Sequence, residues 1–458
     1  MSSVRLRDLM TCFQGVIPSV VATSSKDGEP NITYVSQVFF IDDTHVALSC
    51  QFFNKTKQNI SENPYANVQV MDPVTNDAYQ MDLRFDHSEK SGELFDTMFA
   101  RIEAIASHTG MAGVFKLISA DVYEVSSVWK VESFHRPLPP SEPKPLPPTD
   151  KRSELRALQV VSDRLNRAPD LETLLSSLLA AFRQELGFEH AMILLADDQQ
   201  QRLFTVASTG YGESGVGAEV AIGVGVIGTV AQSKKLMRIS DVGGDLRYGR
   251  AIRGEVTGSS MANVLTPEIP LPGLPDARSH LGIPLLVQDR LVGVLAVESK
   301  NPLVIDEWHE AFLNIVGNQV AIAIDRMLED EDIVTPREER ASALPPPSRK
   351  ARALKFYPGD DCVFVDGEYL IRNVPARILW KLLKSYKEEG RVEFTNRELR
   401  LDSFLGLPPV KDNLESRLIL LRKRLEEKCP DIRIPSCGRG HFRLEIDCGL
   451  DLSEVGGK

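Results

Sequence analysis

Four residues in the stretch CQFFNKTKQNISENPYANV, Cys50 to Val68, could bind an anion: Asn54, Lys55, Thr56 and Lys57 follow an apolar run and open a polar one that stops at Asn63 and Pro64. Exposed amides at a helix start attract negative charge, and two ammonium groups and a hydroxyl add donors, so a phosphate is a natural occupant. A solvated surface turn would use the same residue types. A second basic group lies near the C-terminus, in KDNLESRLILLRKRLEEKC. Leu414, Leu418, Leu421 and Leu425 repeat at i, i+4, i+7 and i+11, the spacing of a helical core stripe, while Asn413, Ser416, Arg417, Leu420 and Arg424 fall on the other side. That side is polar enough to meet a groove of double-stranded DNA, with Lys411 at the approach to the helix and Arg422 and Lys423 adding basic charge; a merely solvated charged helix is the alternative. Arg439 and His441 sit at the tip of the hairpin IRIPSCGRGHFRLEI, a further basic group that could meet an anion.

No residues stand out as a catalytic acid and base, so no catalytic residue is assigned. His87, and His108 in IASHTGM, are lone histidines, more often structural hydrogen-bonders than haem ligands, although haem is a possible cofactor on either. The six cysteines are scattered without a CxxC pair, so no metal site and no disulfide framework is expected.

At 458 residues the chain exceeds one core, and the length suggests about three domains. Two proline-rich segments, HRPLPPSEPKPLPPTD (135–150) and EDEDIVTPREERASALPPPSRK (329–350), interrupt helix and sheet continuity and read as stiff, extended linkers. They delimit blocks at 1–134, 151–328 and 351–450. Residues 351–458 hold 20 Lys and Arg against 18 Asp and Glu, whereas the other 350 hold 33 against 46, so the last quarter is the part suited to a polyanion. No apolar run approaches the roughly 20 residues of a membrane span, and MSSVRLRDLM lacks a signal peptide's apolar centre; a cytoplasmic protein that meets no membrane is expected.

The first block alternates β-branched and aromatic residues around the turns KDGEP and DDTH, a meander of antiparallel strands, with helical spacing only in ELFDTMFARIEAIAS. A small barrel with a helix is implied. The second block alternates helix (LETLLSSLLAAFRQELGF) and strand (HAMILLAD, QRLFTVASTG), then closes with the hairpin GIPLLVQDRLVGVLAVES and a long helix, DEWHEAFLNIVGNQVAIAIDRM. The third runs hairpin (DCVFVDGEYLIRNV), helix, short helix, long helix, hairpin. Pro375 sits in a first turn, and Thr395 to Glu398 has capping-box spacing.

These blocks carry three resemblances. DGEPNITYVSQVFFIDDTHVALSCQ followed by NKTKQNISENP resembles the pyridoxamine-phosphate-oxidase-like, FMN-binding split barrel, in which a basic pair after the strand holds the flavin phosphate. The resemblance implies FMN as cofactor. Lys55 falls on the first basic position and Thr56, a departure, on the second; Asn54, Lys55 and Thr56 would cradle the phosphate with Lys57 nearby, and Tyr34, Ser36, Ser49 and Cys50 would lie near the isoalloxazine and ribityl chain. The second block resembles a GAF domain, a small-molecule sensing and dimerising α/β module. A bilin is disfavoured because no thiol lies between Cys50 and Cys362, and no NKFDE-type sequence suggests a cyclic nucleotide. The glycine-rich run GVGAEVAIGVGVIGTVA lacks the strand, GxGxxG, helix order of a dinucleotide site. The third block resembles the OmpR-type winged helix-turn-helix, whose recognition helix would be the leucine-striped one.

The expected protein is thus a multidomain α+β flavoprotein: split β-barrel, GAF α/β sandwich and winged helix. Its expected role is that of a homodimeric transcriptional regulator that senses an unknown small ligand or redox state and binds DNA. The alternatives are a flavin-dependent oxidoreductase with regulatory GAF and winged-helix modules, and a ligand-free dimerisation scaffold.

Overall fold

The computed structural model describes residues 4–35, 37–51, 55–111, 116–132, 151–197, 201–211, 218–241, 273–274, 276–329, 351–359, 361–405, 414–438 and 440–455. In the first block, β1 (Ser19–Ser24), β2 (Pro30–Val35), β3 (Val38–Phe40), β4 (His45–Cys50), β5 (Tyr65–Met71), β6 (Ala78–Glu89) and β7 (Ser119–Lys130) form a seven-stranded antiparallel sheet in the order β2-β1-β5-β6-β7-β4-β3. Alternation fixes the register: Ser19, Val21 and Thr23 are buried while their neighbours on β1 are not, and Val21 lies opposite Val68. The inner face packs Val21, Val38, Val46, Val68, Met81 and Leu83. Helix α1 (Lys55–Glu62) follows β4, and α2 (Glu93–His108) precedes β7. This arrangement is consistent with a split barrel.

The second block is a six-stranded antiparallel sheet, β10-β9-β8-β13-β12-β11, built from β8 (His190–Asp197), β9 (Arg202–Thr209), β10 (Glu219–Ala221), β11 (Met237–Ile239), β12 (Ser279–Val287) and β13 (Arg290–Ser299). Helices α3 (Lys151–Arg167), α4 (Leu171–Leu186) and α6 (Glu307–Glu329) cover one face, and α5 (Gly225–Ser233) the other. The Asp170 carboxylate caps α4 by accepting from Thr173 N at 2.8 Å, and Gly187 ends it in the left-handed region. Leu174, Leu178 and Phe182 of α4 meet Ile283 and Leu285 of β12 and Val320 and Ile324 of α6. Gly317 lets α6 approach closely, since a Cβ there would come 2.9 Å from Ile283 Cγ2.

In the third block β14 (Arg352–Tyr357), β15 (Cys362–Val365) and β16 (Glu368–Arg372) form a four-stranded sheet with β22 (Leu450–Glu454), which runs parallel to β14 and extends past the expected limit at 450. Helices α7 (Asn373–Glu389), α8 (Asn396–Leu401) and α9 (Leu414–Lys428) follow. Thr395 caps α8, accepting from Glu398 N at 3.2 Å. Strand β17 (Glu393–Thr395) pairs with β20 (His441–Arg443), which pairs with β19 (Ser436–Gly438); β18 (Ile432–Arg433) and β21 (Glu445–Ile446) make a short ladder beside them. Leu414, Leu418, Leu421 and Leu425 are all buried in this block's core, around Trp380 stacked on Phe356 at 5.4 Å.

Candidate functional sites

Helix α1 begins at Lys55, but both lysines of the turn have carboxylate partners. Lys55 Nζ lies 2.7 Å from Glu29 Oε2, and Lys57 Nζ donates to both oxygens of Asp121 at 2.8 Å and to Ser88 Oγ at 3.0 Å. Asp121 is 4% exposed and also accepts from Ser88 and Ser119. Thr56 Oγ1 accepts from Asn31 Nδ2 at 3.0 Å. A phosphate dianion here would face two carboxylates rather than two spare cations, so the residues as folded do not fit the FMN phosphate. The other carried-over positions are dispersed in character. Tyr34 is 63% exposed on edge strand β2, Ser49 is half-buried and accepts from Gln51, and Cys50 is buried. Burial, with Asp121 adding to it, pushes the Cys50 thiol up, the opposite of what a reactive thiol needs. Ser36 and Asn54 lie outside the described residues. Sequence reading missed Glu29 and Asp121 because ion pairs 26 and 64 residues apart leave no local signal.

Neither histidine is presented as a haem ligand. His87 is exposed between Asp86 and Glu89. His108, the last residue of α2, is buried and its Nε2 accepts from Val226 N at 3.1 Å, while Ser107 Oγ accepts from Gly225 N at 2.8 Å. The end of a split-barrel helix therefore supplies the N-terminal partners of α5, satisfying two amides that a helix start leaves open. Gly225, at φ +67°, permits the approach: a Cβ would come 2.9 Å from His108 Cε1. Ala100 and Ala104 of α2 join the same core as Val226, Val230, Met192 and Val294.

Beside this contact lies a polar group that composition and spacing did not announce. His190, Glu298 and His280 stand in one row across β8, β13 and β12. Glu298 Oε2 accepts from Tyr211 OH and Leu274 N, both at 2.9 Å, while Glu298 Oε1 stands 3.4 Å from His280 Nδ1, and neither it nor either nitrogen of His280 has a well-formed hydrogen bond among the described residues. Burial raises the Glu298 carboxyl to about 7 against the pull of Tyr211 and Leu274; burial, with His108 nearby, lowers His280 to about 3. Two charged-type residues inside otherwise apolar strands were the only available sequence signal.

The C-terminal helix differs from expectation on its second face. Ser416, Arg417 and Leu420 are buried rather than open to a groove: Leu420 belongs to the core of its own block, and α9 also meets the second block through Ile419, which joins the core that includes α4 and β12. Arg417 NH2 lies 3.3 Å from Asp197 Oδ2. Arg422 donates to Ile434 O at 2.7 Å and to Glu415 at 3.0 Å, and reaches Glu172 Oε2 at 3.5 Å. Burial lowers the Lys423 ammonium. Arg424 pairs with Glu427, and His441 is half-buried with no hydrogen-bond partner for Nε2 among the described residues. Lys411, Asn413 and Arg439 lie outside the described residues. The arginine pattern was legible; that a neighbouring domain covers it was not.

Comparison with known proteins bears on the first two blocks. Residues 9–127 match the family model for pyridoxamine 5'-phosphate oxidase, and residues 170–324 match that for the GAF domain. The chain carries a pyridoxamine-phosphate-oxidase-like N-terminal domain and a GAF domain. Similar solved structures include the GAF domain of an Acinetobacter phosphoenolpyruvate-protein phosphotransferase (20% identity, 39% of this chain, 98% of that chain, TM-score 0.31). Others are an FMN-binding protein from Syntrophomonas wolfei (19%, 28%, 88%, 0.23) and the free methionine-R-sulfoxide reductase of Neisseria meningitidis with its substrate (15%, 39%, 93%, 0.31). No curated protein matches the chain. Among the described residues of the split barrel, the GAF domain and the C-terminal block, no helix is long and apolar enough to cross a membrane.

Proposed function

We propose that the protein is a cytoplasmic DNA-binding transcriptional regulator whose split-barrel and GAF domains sense a small ligand and control the C-terminal block. The observation that supports this most is the architecture of that block: a four-stranded sheet, three helices with a leucine-striped third, and a β19–β20 hairpin paired to β17 beside them. That order is the one a winged helix requires, with α9 as recognition helix and the hairpin as wing. Arg417, Arg422, Lys423 and Arg424 of α9 would meet the duplex once the helix is free, and Arg439 and His441 would track its backbone.

The acting unit is a homodimer. Trp308, Ile315 and Ile322 recur every seven residues along α6 and remain exposed, a stripe that a second copy of the helix would cover. Binding of the isolated C-terminal block, from residue 351, to duplex DNA by anisotropy at several salt concentrations tests the reading. Affinity that falls steeply with salt is expected, and its absence at low salt overturns a DNA-binding role.

A flavin on the split barrel is the second reading, favoured by the family match over residues 9–127 and opposed by the neutralised lysines. Absorbance of the purified full chain decides it: bands near about 370 and about 450 nm identify a flavin, whose isoalloxazine supplies redox chemistry when bound. Their absence leaves ligand sensing to the GAF domain.

A further inference from the structure

Three carboxylates of the GAF domain stand where arginines of the C-terminal block arrive. Glu219, on β10, takes Arg372 NH2 at 2.8 Å and Asn373 Nδ2 at 3.2 Å, in addition to Arg202 of its own domain. Asp197, at the end of β8, faces Arg417, and Glu172, in the first turn of α4, faces Arg422. They come from three separate elements of the GAF domain. The side chains they meet come from α9 and from the β16–α7 corner. Apolar contact is present but thin: among the described residues Ile419 is the α9 side chain that joins the GAF core, Leu420 belongs to its own block's core, and a cavity of about 40 Å³ remains between Phe204, Val374, Pro375, Arg417 and Leu420. A separate cleft of about 580 Å³ is lined by Leu171, Met327, Asn396, Arg422, Ser436 and His441, and Asn396 Oδ1 and His441 Nε2 are buried there with no hydrogen-bond partner among the described residues. The seam is charge-matched and incompletely packed.

We infer that Glu172, Asp197 and Glu219 form an acidic docking surface for the arginines of the C-terminal block, so that the GAF domain and a polyanion compete for the same side chains. The inference rests on the DNA-binding reading only for the identity of the competitor. Arg417 cannot pair with Asp197 and with a phosphate at once, Arg422 shares its guanidinium between Glu172 and the Glu415 and Ile434 acceptors of its own block, and with α9 seated Arg417 is buried. Whatever lifts α9 off the GAF domain therefore exposes the basic helix. The burial that lowers Lys423 is consistent with this, since the same seam removes its ammonium from water beside Glu172.

Because docking is itself electrostatic, salt weakens it as well as DNA binding. The full chain should show a shallower loss of DNA affinity with salt than an undocked variant. The test compares the full chain with Glu172→Gln/Asp197→Asn/Glu219→Gln, and with Glu185→Gln/Glu189→Gln/Asp276→Asn as a control that removes the same charge from exposed positions elsewhere on the GAF domain. Two readouts are taken: amide hydrogen exchange over residues 414–428, and anisotropy with a mixed-sequence duplex of about 30 bp from low to high salt. The docking variant, and not the control, should exchange faster in α9, bind DNA about tenfold tighter at low salt, and converge with the parent at high salt. Faster exchange with no DNA binding by any form upholds the docking surface and overturns the DNA reading. Unchanged exchange, or an equal gain in the control, overturns the docking surface.

Discussion

Where α2 meets α5 the contact is made of alanines, buried amides and side-chain acceptors, whereas where α9 meets α4 and β8 it is made largely of arginines and carboxylates. At the first seam Ala100 and Ala104 enter the GAF core, and Ser107 and His108 satisfy the start of α5, so parting the domains would strand buried donors and expose apolar surface together. At the second, each charged group that separates regains water, which offsets much of what the ion pair contributed. The split barrel and GAF domain thus share a core across α2 and α5, whereas the GAF–C-terminal seam is the one that can part at lower cost.

The α2–α5 core is most vulnerable at Ala104, which is fully buried in it. Ala104→Asp places an uncompensated charge in the α2–α5 core and should cost about 3 kcal/mol, uncoupling the unfolding of the first two domains in calorimetry. A single joint transition with unchanged midpoint would show that the first seam is not a shared core.

The next effect is a pH profile. Glu298, raised to about 7, favours the folded state at low pH and withdraws that support as pH climbs from its usual 4.5 to 7. His280, lowered to about 3 from 6.5, acts oppositely: support is complete above 6.5 and lost as pH falls toward 3. From 4.5 to 6.5 the two slopes oppose each other, so stability should be nearly flat there. Glu298→Gln removes one slope, and stability of the front two domains should then rise across that window by on the order of 2 kcal/mol. Denaturant titrations at pH 4.5, 5.5 and 6.5 measure it, and a flat profile in the variant counts against the assignment.

His108→Ala leaves the Val226 amide buried without its partner and should cost roughly 1–2 kcal/mol, again at the first seam. The smallest effect sharpens the contrast: raising salt from about 0.05 to about 1 M should change the stability of the front two domains by less than about 1 kcal/mol while hastening amide exchange in α9. Equal salt responses at both seams would erase the distinction.

Much of the fold was legible because it follows local rules. The leucine stripe of α9, the Thr395 cap and the strand alternation of β1 are short-range patterns, and each stands where the residues indicated. The site residues were less legible. In sequence Lys55 and Lys57 look like spare cations, and Ser416, Arg417 and Leu420 like a free face, since a sequence shows a residue's type but not the partner that long-range packing brings to it.

By itself the sequence determined the order of helices and strands and the buried stripe of α9 and of β1, because hydrophobic periodicity acts within a few residues. Only the tertiary structure decided that Asp121 and Glu29 neutralise the anion turn, that His108 of one domain completes a helix of another, and that the GAF domain covers α9. The physical reason is common to all three. A charge or an open amide takes the partner that burial places beside it, and burial depends on how separate elements pack rather than on their neighbours along the chain.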